Sequence, residues 1–307
     1  MTKVFIDGSA GTTGLRIYER LGGRNDLEMI ILPDDIRKDA SARYDALKES
    51  DIAFLCLPDS AAIEAADMAK DLNTVIIDTS TAHRTNDAWA YGFPEIKDFR
   101  NKIKNSKRIA NPGCHASGFI ALVEPLISNG IIAKDLNLSC FSLTGYSGGG
   151  KKMIADYEND ELKDELSAPR LYGLGQSHKH IPEIVKVCDI NNAPVFCPIV
   201  SSYYAGMEVV IPLAKNEVKG GIEAVKEIYK NYYTGNIVKF AENTDEDGFL
   251  SAGKYQMKDD MEISVFGNED RFTLVARYDN LGKGASGAAI QNMNIVLGID
   301  EATGLNI

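Results

Sequence analysis

The chain has 307 residues, 44% of them hydrophobic, with a formal net charge of −11 and a pI near 5.0. That length holds two domains with cores of their own. The acidic balance argues against nucleic-acid binding, and no apolar run approaches the ~20 residues that span a bilayer.

Lys3 to Asp7 reads as a strand, and its start does not resemble a signal peptide, so a cytoplasmic location is expected. Gly8-Ser9-Ala10-Gly11-Thr12-Thr13-Gly14 follows and opens a helix, Thr12 to Leu21. Glycines there let backbone approach a pyrophosphate, and the helix start offers N–H donors. The spacing is GxxGxxG, so the reading as a dinucleotide turn leans on the sheet that follows. Leu27 to Leu32 is a second strand, followed by Asp34, Asp35, Arg37 and Lys38. An acidic residue at the strand end favours a ribose hydroxyl and NAD, whereas Arg37 and Lys38 suit the 2′-phosphate of NADP.

Asp51 to Leu57 and Thr74 to Asp78 read as buried strands, with a helix from Ser60 to Lys70 between them. Apolar strands alternating with helices predict a doubly wound α/β domain with a parallel sheet. Asp78-Thr79-Ser80-Thr81-Ala82-His83-Arg84 sits at a strand end, where ligands bind in such sheets. Arg84 is a candidate for a bidentate phosphate contact there.

Asn111-Pro112-Gly113-Cys114-His115-Ala116-Ser117 lies between a short strand and an apolar helix. Pro and Gly make the turn and leave Cys114 near a helix N-terminus, where dipole and N–H groups favour a thiolate. Cys114 is thus the candidate nucleophile. The five cysteines are widely spaced with no CxxC, which argues against disulfides and zinc. Cys56, Cys140, Cys188 and Cys197 lie in apolar runs and are expected as buried small hydrophobes.

Beyond Cys114 the strands come with fewer helices: Leu136 to Thr144, Pro194 to Val200, Glu208 to Leu213, Ile263 to Phe266 and Thr273 to Tyr278. This predicts an α+β domain with a mostly antiparallel sheet. His178-Lys179-His180-Ile181-Pro182-Glu183 is the candidate acid/base segment, in a loop before a helix at Pro182. The HxH pair has no third ligand cluster beside it, so no metal is expected. Ser147 to Lys152 and Lys283 to Gly287 are further glycine-rich basic turns, and Ser286 to Leu297 reads as a helix.

These motifs together resemble the short-form N-acetyl-gamma-glutamyl-phosphate reductases. The match carries GSAGTTGL, DTSTAHR with YGFPE, NPGCHAS, TGYSGGGK, HKHIPEI and NLGKGASGAAIQNMN. The chain is similar, more distantly, to aspartate-semialdehyde and phosphorylating glyceraldehyde-phosphate dehydrogenases. The resemblance implies a Rossmann-like NADP domain over residues 1–113, with the C-terminal segment 285–307 packed back on it. It also implies a glyceraldehyde-phosphate-dehydrogenase-like α+β domain over 114–284, used for catalysis and for homodimer or homotetramer contacts. The implied reaction reduces N-acetyl-L-glutamyl 5-phosphate to the 5-semialdehyde in arginine biosynthesis. Cys114 matches the nucleophile and His180 the acid/base residue. Gly8, Ala10, Gly11, Thr12, Thr13 and Gly14 match the cofactor turn, and Ser147, Gly148, Asn280 and Lys283 the nicotinamide surroundings. Arg84, Asn111 and Glu183 are the expected substrate contacts. Another acyl-phosphate reductase, acting on aspartyl or N-acetyl-aminoadipyl phosphate, is the nearest alternative, and a non-catalytic NADP sensor the more distant one.

Overall fold

A computed structural model describes residues 1–307. The chain divides into two compact units, Met1–Pro112 with Ala285–Leu305, and Gly113–Gly284 with Asn306–Ile307.

The first unit holds β1 (Thr2–Asp7), α1 (Thr12–Leu21), β2 (Leu27–Ile30), α2 (Ala40–Glu49), β3 (Ile52–Leu55), α3 (Asp59–Met68), β4 (Val75–Asp78), β5 (Ala90–Tyr91), α4 (Phe99–Asn105) and β6 (Arg108–Ala110). All its strands are parallel, in the order β2-β1-β3-β4-β6-β5. Strand alternation feeds two cores. Val4, Ile6 and Phe54 pack with Ile17, Leu21, Ile103 and Ile290 on one face. Phe5, Ala53 and Leu55 pack with Leu47, Ala65 and Ala69 on the other. That is the doubly wound architecture. The helix Gly287–Leu297 belongs to this unit, and a five-residue π-turn, Gly282–Ser286, precedes it. Its polar side chains are fully buried: Asn292 donates to the Gly92 carbonyl (2.9 Å), and Asn294 accepts from Arg24 (2.7 Å).

The second unit holds α5 (Cys114–Ser128), β7 (Ser139–Gly145), α6 (Gly150–Tyr157), α7 (Lys163–Leu166), β8 (Arg170–Leu171), α8 (Ile181–Cys188), β9 (Val195–Ser201), β10 (Met207–Ala214), α9 (Gly221–Tyr232), β11 (Val238–Phe240), β12 (Met261–Gly267) and β13 (Arg271–Tyr278). The sheet order is β11-β12-β13-β10-β7-β9-β8. Four pairings are antiparallel and two, β11·β12 and β7·β9, are parallel. α5 is buried from His115 to Ile127 and apolar there except at His115, Ser117 and Glu124, as suits a central core helix. Pro125 interrupts it, removing the N–H that the Ala121 carbonyl would accept. The Tyr233 hydroxyl donates to that carbonyl instead, at 2.6 Å, and Tyr229 does the same for Leu122.

Some expectations are corrected. β2 stops at Ile30, so Asp34 lies in the following loop and not at the strand end. Cys140 and Cys188 are buried, but Cys56 and Cys197 are only partly so. Cys56 sits one residue beyond β3, where the chain leaves the sheet interior, and Cys197 alternates outward between buried Phe196 and Pro198 on β9. Helices α2 and α9 are not among the expected elements; α9 buries Ile222, Val225 and Tyr229 at helical spacing, whereas α2 buries only Arg43, Ala46 and Leu47. No helix is long and apolar enough to cross a membrane.

Candidate active site

In the first unit the turn after β1 is as tight as its glycines suggest. Gly8 has φ +87°, and a side chain there would run into the Cys56 carbonyl. A Cβ on Gly14 would come within 2.5 Å of the Gly8 carbonyl oxygen. Gly11 donates to that same carbonyl at 3.0 Å and begins α1, with no side-chain cap and no acidic residue in the first turn. The cradle fits a pyrophosphate, with Ala10 exposed at its tip and Thr12 and Thr13 in the opening turn of α1. Beside it lies a cavity of about 440 Å³ lined by Ser9, Tyr18, Ile31, Leu32, Arg37 and Lys38. Asp34 is exposed and ion-paired to Arg37 at 3.0 Å, and it does not line the cavity. Below, buried Arg43 donates to Asp7 at the end of β1 (2.9 Å). Burial nonetheless raises the Asp7 carboxyl above its ordinary range, with Arg43 opposing.

At the ends of β4 and β6, Arg84 is buried. Its Nε donates to the Asn111 carbonyl and its Nη2 to the Thr79 carbonyl, each at 2.9 Å. Asn111 is held in turn: its N–H donates to Asp78 (2.7 Å) and its amide to Ala285 (3.0 Å).

In the second unit Cys114 is the first residue of α5, after an extended Gly113 with no side-chain cap. The Gly113 N–H donates to Glu183 of α8 at 2.8 Å, a carboxylate with 1% exposure. The Cys114 carbonyl accepts from the Tyr278 hydroxyl (2.6 Å), which itself accepts from the Gly118 N–H. The Cys114 backbone is therefore held from both sides. His180 is the buried N-cap of α8, where Ile181 and Pro182 start the helix. The rings of His115, His178 and His180 cluster with centroids 4.8–5.6 Å apart, walled by Phe196. His115 bonds Ser142 (2.7 Å) and the Tyr172 hydroxyl (2.6 Å) through its two ring nitrogens. Burial, with His178 nearby, pushes its pKa down to about 3, so it is neutral. Burial, then Lys179, also lowers His178. Burial raises the Tyr172 hydroxyl, and the Cys114 sulfur raises it further.

Ser147 and Asn280 meet directly: the Asn280 amide donates to the Ser147 hydroxyl (3.0 Å) and accepts from Gly206 N–H (2.9 Å). Gly148 lies against the same amide, and Lys283 is buried in the π-turn. A Cβ on Gly284 would approach Cys114 Cβ at 3.1 Å, so this turn packs on the cysteine. No group of three or more His, Cys, Asp or Glu side chains is arranged to hold a metal.

Each unit thus gathers its own candidates, the glycine turn with Arg84 and Asn111 in the first, and Cys114, His180, Glu183, Ser147, Gly148, Asn280 and Lys283 in the second. The sequence reading passed over His115, Tyr172, Asp78, His83 and Trp89. His115 and His83 carried a usable signal, as two of only four histidines, each inside a recognised motif. Tyr172 and Trp89 carried none, since their partners are distant in sequence or fixed by stacking.

Known proteins identify the family and the fold. Residues 3–106 match the model of the semialdehyde dehydrogenase NAD-binding domain, and residues 114–280 that of the semialdehyde dehydrogenase dimerisation domain. An N-acetyl-gamma-glutamyl-phosphate reductase of Sinorhizobium medicae is 44% identical over 305 residues, covering 96% of this chain and 98% of its own. The fold is that of an aspartate semialdehyde dehydrogenase from Francisella tularensis, with TM-score 0.73, 15% identity and 97% and 100% of the two chains covered. It is also that of the Candida albicans enzyme solved with NADP, with TM-score 0.70, 14% identity and 97% and 99% covered. With a nicotinamide-dinucleotide domain, a dimerisation domain carrying a cysteine at a helix start, and this identity along nearly its whole length, the chain belongs to the N-acetyl-gamma-glutamyl-phosphate reductase family.

Proposed function

We propose that this chain reduces N-acetyl-L-glutamyl 5-phosphate to N-acetyl-L-glutamate 5-semialdehyde with release of phosphate, a step of arginine biosynthesis, in the cytoplasm. The observation that carries the reading is Cys114 at the first position of α5, backbone-pinned and beside a buried histidine cluster.

The Cys114 thiolate attacks the acyl-phosphate carbonyl carbon; the carbon–oxygen bond to phosphate breaks and a thioester remains on sulfur. N–H groups of the first turn of α5 stabilise the tetrahedral oxyanion. The Gly8–Gly14 turn, with Arg37 and Lys38, would hold NADPH, which would supply the hydride for the thioester carbon. His180 donates a proton to the resulting alkoxide. It then takes that proton back as the thiohemiacetal releases aldehyde and Cys114 regains its thiolate. Arg84 and Asn111 bind the phosphate end of the substrate; Glu183, expected as a substrate contact, is buried against the Gly113 N–H and is read instead as orienting the Cys114 turn. The expected division, 1–113 with 285–307 for NADP and 114–284 for the chemistry, shifts slightly with the compact units: Met1–Pro112 with Ala285–Leu305 would bind NADP, and Gly113–Gly284 would carry the chemistry. Preference for NADP is supported by Arg37 and Lys38 lining the cavity while Asp34 lies outside it.

The protein is read as a homodimer or homotetramer. Phe141, Leu171 and Val195 lie on one face of the second unit's sheet and are 41–55% exposed, an apolar surface suited to a second copy. Sedimentation of Phe141→Lys as a smaller species than the parent would support this face.

The deciding assay follows phosphate-dependent NADP reduction, with N-acetyl-glutamate semialdehyde and aspartate semialdehyde compared side by side. Activity with the first alone is expected. Activity with the second alone reassigns the substrate, and tight NADP binding without either activity returns the sensor reading.

A further inference from the structure

The segment that presents Arg84 is held by a buried network with no part in the chemistry above. Asp78, the last residue of β4, is fully buried. Its Oδ1 accepts the Ser80 N–H (2.9 Å), and its Oδ2 accepts the Ser80 hydroxyl (2.8 Å) and His83 Nδ1 (2.6 Å). A carboxylate only accepts, so His83 carries its proton on Nδ1. The His83 ring stacks on Trp89 with centroids 4.0 Å apart and planes 14° apart. The main chain closes behind the pair: Asn86 N–H donates to the His83 carbonyl, and Trp89 N–H to that of Asn86. The imidazole is thus fixed at one edge by a satisfied carboxylate and across one face by indole.

The next residue is Arg84, whose guanidinium reaches the carbonyls at the ends of two adjacent strands. Those two bonds set where the guanidinium lies, but only if the chain delivers the arginine Cα to one place. The residues between Asp78 and Arg84 have no regular secondary structure to do this.

We infer that Asp78, His83 and Trp89 form a positioning clamp that fixes Arg84 for binding the substrate's phosphate. The clamp acts through the backbone at residues 83–84, so its loss lowers affinity for phosphate and leaves the Cys114 chemistry intact. The inference rests on Arg84 being the phosphate contact proposed above.

The test measures steady-state constants in the phosphate-consuming direction and calorimetric binding of inorganic phosphate to the NADP-saturated protein. Three variants are compared: Arg84→Lys, His83→Phe, which keeps a ring on Trp89 but loses the bond to Asp78, and Trp89→Leu, which keeps that bond but loses the stack. For His83→Phe and Trp89→Leu the expected result is a phosphate KM and Kd raised about tenfold, about 1.4 kcal/mol. Their KM for semialdehyde and NADP should stay within about twofold. Combining His83→Phe with Arg84→Lys should add little to Arg84→Lys alone, because both changes remove one function. A rise with Arg84→Lys but none with either clamp variant overturns the clamp and leaves Arg84 standing. No rise with Arg84→Lys overturns the phosphate contact and the clamp with it. A uniform loss of activity and melting temperature, with phosphate binding unchanged, means that the network serves stability only.

Discussion

Glu183 ties helix α8 to the turn before Cys114, and its removal has a calculable cost. Its Oε1 accepts the Gly113 N–H at 2.8 Å in a site with 1% exposure, one residue before Cys114. Glu183→Ala deletes a charge-assisted bond and leaves a buried N–H without that acceptor, a loss of about 2–3 kcal/mol. For a unit of this size that corresponds to a fall in Tm of roughly 4–12 °C. Glu183→Gln keeps an oxygen acceptor and loses only the charge, so about half of that is expected. The same release lets the Cys114 turn wander. A displacement of about 1 Å costs on the order of 10²-fold, so kcat/KM should fall about 10–100-fold in the Ala variant and less in Gln. Calorimetric melting and initial rates on the three proteins measure both effects. Equal behaviour of the Ala and Gln variants, or an Ala variant with parental Tm, would falsify the assignment of this bond as what fixes the turn.

Cys114→Ser should almost abolish turnover while NADPH binding, followed by fluorescence, stays intact; near-normal turnover would end the thioester mechanism. His180→Asn should slow turnover about 10²–10⁴-fold, and a small effect would move proton transfer elsewhere. Gly14→Ala places a Cβ 2.5 Å from the Gly8 carbonyl, so the turn must open, and KM for NADPH should rise about tenfold or more with the Cys114 thiol still reactive to alkylation. An unchanged KM would show that the turn yields easily. His115 gives a pH signature. Its pKa falls to about 3 in the fold and lies near 6.5 unfolded, so the unfolded chain binds the extra proton between those values. Stability therefore rises with pH across that window and is lost as pH falls through it, by at most about 1.4 kcal/mol per unit. Urea midpoints from pH 4 to 7 should show this slope, reduced by about one proton in His115→Gln. An equal slope in both proteins would mean that His115 is not the group.

Local pattern made much of this protein legible. The parallel sheet was readable because strands buried on both faces must be apolar throughout, as Ile52–Leu55 and Val75–Asp78 nearly are. Helix α1 was readable to the residue, because the glycine turn and the apolar spacing mark its ends. Cys114 stood out because a turn of Pro and Gly before an apolar helix can put a side chain in only a few places. Helix α2 was missed, since its buried side is small and includes the stem of Arg43, which no hydrophobic pattern reports.

What the tertiary structure decided is which polar groups share a buried volume. His115 and Tyr172 are 57 positions apart, and Glu183 reaches back 70 to Gly113. Asn111 and Asn292 are 181 apart, and a polar side chain carries no periodic signal of its burial. Which of Asp34 and Arg37 lines the cavity after β1 likewise turned on where β2 ends, two residues earlier than its apolar run. Apolar patterning is read along the chain because every residue of an element contributes to it. Hydrogen bonds and charge pairs are single contacts between distant positions, and only folding brings their two ends together.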